Sequence, residues 1–192
     1  MDHENRMATL MVEANPIERV ESLQRLLDAE PLTTEEVEDA CRALASEKSA
    51  TVQALYWELL ERTAPSALAL DLALNCIMDP AAPNRSEAVR YLRFCFPDRL
   101  PGLIEAFRRD PDEDLRYQLS EFLRDSDIEG AVDMKIGMLT NASHARREAL
   151  TSEIAELGNF RQLEELRRLD RLSGGNSVFA AAAQLLAARI DT

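Results

Sequence analysis

Apolar residues recur three and four positions apart in block after block of this chain, and each block is fenced by a proline, a glycine or a capping residue. That spacing puts them on one face of an α-helix. Asn15-Pro16 opens a helix to about Asp28, with the proline in the first turn, where its missing N–H costs least. Pro31 closes that block, and Thr33-Thr-Glu-Glu36 reads as a capping box ahead of Val37, Ala40, Cys41 and Leu44. Further helices are predicted near 49–63, 65–79, 84–96, 99–110, 112–124, 128–140, 143–157, 159–172 and 176–190. Pro80, Pro83, Pro97, Pro101, Gly158 and Gly174-Gly175 punctuate them, and the short connections call for antiparallel neighbours. Asp110-Pro-Asp-Glu-Asp114 packs a helix stop, a turn and a helix start into a few residues: Pro111 cannot extend the preceding helix, and Asp110 or Asp112 can cap the next.

Five of these helices share a phase. With Val52, Val89, Leu115, Arg146 and Val178 as equivalent positions, the intervals are 37, 26, 31 and 32 residues. Each is about the length of one helical hairpin, which cannot bury its apolar stripe alone and so stacks on its neighbours. The chain therefore reads as one all-α domain over 1–192, with an irregular acidic helical cap at 1–48 and helix pairs over 49–192.

Asp110, followed by Leu115 and Arg116, resembles the aspartate–valine–arginine pattern of HEAT repeats. Val89-Arg90 keeps its second half, and Asn141 with Arg147 keeps its interval. The resemblance covers about 49–190, and the short intervals are similar to compact bacterial repeats of this armadillo-like class; other helical-pair arrays stay open. It implies a right-handed α-solenoid of stacked antiparallel pairs, in which Asp110 and Arg116, with Arg90 and Arg147, form a ladder between neighbouring repeats. It also implies that the second helices line a concave face.

On those second helices, positions two and five past the shared anchor point away from the anchor's stripe. They hold Tyr91, Tyr117, Trp57 and Phe94, with Glu61, Glu113, Asp114 and Glu121 around them. Aromatic anchors inside a polar rim are the usual anatomy of a protein-binding patch. A helix buried on more than one side would instead place such aromatics in the core, and a buried Tyr must still satisfy its hydroxyl.

Charge sharpens the partner. The chain carries −13, and successive thirds (1–64, 65–127, 128–192) carry −8, −4 and −1. Such a surface repels phosphate backbones and acidic membranes and steers basic proteins inward. The expected function is a non-catalytic module binding a basic-surfaced protein, in the manner of an immunity protein, an antitoxin or an adaptor. Neither nucleic acid nor membrane is expected as a partner.

Candidate chemistry changes this little. His3 and His144 have no second histidine or cysteine at ligand spacing, so neither a metal nor another cofactor is expected. Glu35-Glu36-Glu38-Asp39 reads as an acidic first turn, and no glycine-rich phosphate loop or nucleophile elbow occurs. Cys41, Cys76 and Cys95, odd in number and far apart, fit reduced thiols in a cytoplasm. The alternatives are a HEAT-like lyase or DNA glycosylase, which needs a pocket of perturbed carboxylates or histidines, and a homo-oligomeric scaffold built on the Ala-rich helix 176–190.

Overall fold

The computed structural model describes Met7, residues 15–175 and residues 177–191; His3 and the rest of the first six residues lie outside the described residues. Eleven α-helices are seen among them, and no strand: α1 (Pro16–Leu27), α2 (Thr34–Ser46), α3 (Ala50–Glu61), α4 (Ala67–Met78), α5 (Arg85–Cys95), α6 (Leu100–Phe107), α7 (Glu113–Ser126), α8 (Ile128–Met138), α9 (His144–Leu157), α10 (Phe160–Leu172) and α11 (Val178–Ile190). A 3-10 turn, Pro97–Arg99, precedes α6.

The helix starts are where the capping chemistry puts them. Thr33 and Glu36 form the expected capping box, and Asn159 with Gln162 forms a second. The Asp112 carboxylate accepts from the Leu115 amide and caps α7, leaving Glu113 and Asp114 in the first turn beside the positive end of the helix dipole. Asp110 accepts from the Asp112 amide at 2.9 Å and so tightens the turn before it. Gly174 and Gly175, at φ 86 and 76, take the left-handed conformation that ends α10.

The chain resolves into two compact units, 1–102 and 103–192. In the first, α3 packs on α1 and α5 to form one layer; α2 and α4 form the other; α2 pairs with α3 and α4 with α5. The stretch expected as an irregular cap thus supplies two regular helices, α1 and α2, packed like those that follow. In the second unit α9 stacks on α11 and α8 meets α10, while α7 pairs with α8 and α10 with α11. Each unit is a two-layer array of helix pairs, the all-α solenoid architecture.

Polar links between neighbouring pairs show the repeat length directly. Arg19–Glu47, Asn84–Ala50 and Arg90–Glu61 in the first unit are separated by 28, 34 and 29 residues. Tyr117–Glu153, Arg146–Asp114 and Asn159–Glu129 in the second are separated by 36, 32 and 30. Asn84 precedes α5 but does not cap it; its amide donates to the Ala50 carbonyl and to Gln53 instead, at 2.9 Å each. Arginines close helix carboxyl ends, where the last carbonyls lack intrahelical partners. Arg85 Nε donates to the Ile77 carbonyl at 3.0 Å and Arg147 Nε to the Leu139 carbonyl at 3.1 Å, each reaching back across its turn. From farther along the chain, Arg62 donates to the Leu27 carbonyl at the end of α1 and Arg189 to the Gly158 carbonyl just past α9.

The cores are aliphatic. Leu23, Val52, Leu60, Ile77 and Leu92 are wholly buried in the first unit. In the second, Val132, Leu150, Ile154, Leu166 and Leu186 form one cluster, with Tyr117 and Phe179 packed against its margin.

Candidate interaction faces

The eight side chains expected to bind a partner fall into three environments. Trp57 and Tyr91 are core residues, only 2% and 1% exposed, and this corrects their expected place on an open face. They lie where α3 packs on α5, with ring centroids 5.6 Å apart, and Phe96 lies 6.0 Å beyond Tyr91. The reason is layer packing. A helix flanked within its layer and paired across it buries its sides as well as its anchor stripe. Burial pushes the Tyr91 hydroxyl upward, neighbouring Cys95 adds to the effect, and the Ser66 backbone opposes it.

Phe94 and Glu61 remain at the surface of the first unit. Phe94 is 62% exposed, and the Arg93 guanidinium sits 5.5 Å from its ring centroid. Glu61, half-buried, accepts from Arg90 Nε at 2.7 Å. Burial raises the Glu61 carboxyl; the Arg90 bond and charge oppose this, while Glu58 and Glu87 push the same way as burial. Glu58 and Glu87 are therefore close enough to be felt, and the sequence reading missed both. The signal was available: Glu58 stands three residues before Glu61, and Glu87 three before Arg90, on the same helical stripes.

Glu113, Asp114, Tyr117 and Glu121 are brought together on α7 of the second unit, but with cations already among them. Arg146 of α9 donates to Asp114 at 2.5 Å, lies 3.7 Å from Glu113, and stacks 4.5 Å from the Tyr117 ring centroid. The Tyr117 hydroxyl donates to Glu153 at 2.9 Å. Burial, then the Glu153 bond, pushes that hydroxyl up to about 12. Beneath them Lys135 of α8 is wholly buried, 2.7 Å from Glu121 and 2.6 Å from Glu153. Its ammonium also lies 5.5 Å from the Tyr117 ring centroid. Each of the four carboxylates meets one of the two cations, Arg146 or Lys135, which makes the cluster a fastening between helices more than an open receptor.

The ladder residues divide likewise. Arg90 does join neighbouring pairs, through Glu61, whereas Arg147 holds the end of α8 and Arg116 leaves its Nε buried without a hydrogen-bond partner among the described residues. His144 is exposed beside Glu148 at 3.6 Å. Burial lifts the Cys41 and Cys76 thiols to about 11, away from reactive thiolate. On α10, Arg161 binds Asp133 and Glu129, and Arg168 binds Glu165, so the local run of arginines is paired at least in part with acids.

No protein-family model matches the chain, and no curated protein matches it in sequence. Among solved structures it is similar to a designed armadillo repeat protein, at 15% identity and a TM-score of 0.41 over 95% of this chain and 99% of that one.

Proposed function

We propose that this protein is a non-catalytic protein–protein interaction module whose partner presents a basic surface, as an immunity protein, antitoxin or adaptor would. The observation that supports this most is the surface of the first unit. Glu18, Glu21, Glu35, Glu38 and Glu58 are exposed on α1, α2 and α3. Two of the few bases on these helices are spent on internal acids, Arg19 on Glu47 and Arg42 on Asp39. The outward field there is negative, which steers basic proteins and raises their rate of encounter.

The test is capture of interacting proteins from host lysate on the immobilised full chain, followed by rebinding of each purified candidate. A specific partner with a basic surface is expected, its association slowing as salt rises through the range where the Debye length falls from about 10 Å to about 3 Å. Specific partners that are all acidic, or association indifferent to salt, would overturn the proposal.

A further inference from the structure

The open face shared by α3 and α5 names the chemistry of the partner more closely. The two helices run side by side in parallel, pinned by Asn84 on the Ala50 carbonyl, by the Trp57–Tyr91 ring contact and by Arg90 on Glu61. Ala54, Glu58 and Glu61 share one outward stripe of α3, and Glu87, Arg90 and Phe94 share one of α5. The result is an exposed aromatic ring on a helix face that carries three carboxylates and two guanidiniums, that of Arg90 bound to Glu61 and that of Arg93 against the Phe94 ring. Phe94 is large, apolar and outward.

Resting on the reading above, we infer that this α3–α5 face docks an arginine-bearing amphipathic helix of the partner. The apolar side of that helix covers Phe94, and an arginine one turn away reaches Glu58 and Glu87. Charge complementarity selects the occupant: three carboxylates against the guanidiniums of Arg90 and Arg93 leave a net negative face, which disfavours an acidic segment and favours a basic one. Arginine suits the face better than lysine because its planar fork binds carboxylates in pairs and stacks on aromatic rings. The ring already shows that tolerance in its contact with Arg93.

The experiment uses the full chain and three synthetic amphipathic helices of ~18 residues, about five turns, identical except for arginine, lysine or glutamate at the polar positions. Binding of the fluorescently labelled peptides is followed by anisotropy. The arginine peptide is expected to bind several-fold more tightly than the lysine peptide, and the glutamate peptide not at all. Phe94→Ala is expected to weaken the arginine peptide about tenfold. Glu58→Gln with Glu87→Gln is expected to weaken it about fivefold at low salt, with the difference vanishing at high salt. Phe94 and Glu58 are exposed and Glu87 is half-buried, and thermal melting checks that each variant folds like the parent. The inference is overturned if Phe94→Ala binds like the parent, or if lysine and glutamate peptides match arginine. Should a basic native partner be captured that ignores Phe94→Ala, the face is wrong and the broader function stands. Should neither a basic partner nor the peptide bind, both fall.

Discussion

Replacing Trp57 by alanine separates a core residue from a surface anchor. Trp57 is 2% exposed and packs against Tyr91, with ring centroids 5.6 Å apart and the planes tilted by 40°. An indole of this kind hides roughly 150–250 Å² of mostly apolar area, worth about 4–6 kcal/mol at ~25 cal/mol per Å². Relaxation of the cavity and residual burial in the unfolded chain trim that figure, and measured truncations of buried aromatics cost about 3–5 kcal/mol. We expect Trp57→Ala to destabilise the 1–102 unit by about 4 kcal/mol. For a unit of about 100 residues this lowers the melting temperature by roughly 15–30 °C. The assay is urea unfolding followed by far-ultraviolet circular dichroism, because the substitution removes the chain's one tryptophan. In the parent protein that indole supplies a second reading: its emission should be blue-shifted and resist quenching by iodide. Phe94→Ala, with an exposed ring, should change stability by less than about 0.5 kcal/mol. A Trp57→Ala variant as stable as Phe94→Ala, or a red-shifted, freely quenched indole in the parent, would refute the placement of Trp57 in the core.

Three further outcomes follow from the polar links. Lys135→Met removes the cation buried between Glu121 and Glu153, leaving two carboxylates to face each other, and should cost about 3 kcal/mol in chemical unfolding of the second unit; adding Glu121→Gln and Glu153→Gln should recover a large part. Tyr117 holds its proton up to about 12 in the fold against 10 for the ordinary phenol, so it lends stability that is fully present below pH ~10 and lost as pH rises toward ~12. Tyr117→Phe should flatten that alkaline loss in a pH series of melting curves. Arg85→Met should cost about 1–2 kcal/mol, since it uncovers the Ile77 carbonyl at the end of α4, and urea unfolding measures it.

The helices were legible because their signals are local. Thr33 and Glu36 cap within four residues, Asp112 caps α7 within three, and the apolar stripes repeat within one turn or two. The pairing of helices followed from short connections. What the sequence concealed was which flank of a helix its neighbour would cover. A period of 3.6 assigns Trp57 and Phe94 to off-stripe positions alike, yet one is sealed between α3 and α5 while the other stands in solvent. That difference depends on the offset between helices some 34 residues apart, as the Asn84–Ala50 link shows, and no local window contains it. The same holds for Lys135. It lies mid-helix between apolar residues, and only the convergence of Glu121 from α7 and Glu153 from α9 makes its burial tolerable.

This separation of labour between apolar and polar residues bears on how the array keeps its register. Leucine and alanine stripes slide past one another with little penalty, because a core of mixed aliphatic residues tolerates many repackings. Directional groups do not slide. The Asn84 amide reaches the Ala50 carbonyl and Gln53 in one alignment of α5 on α3, and a shift of one turn, about 5.4 Å, breaks both bonds. Arg85 and Arg147 likewise reach the carbonyls of Ile77 and Leu139 only when each turn closes at its native length. Lys135 extends the argument, since a buried ammonium stays paired only if α7, α8 and α9 all stand at their native heights. These links add modestly to stability and strongly to uniqueness of the stack. They also hold α3 and α5 at the offset that places Glu58 of one helix and Glu87 and Phe94 of the other on one face. Weakening the Asn84 links should therefore loosen the arginine peptide's grip on a face that Asn84 itself never touches.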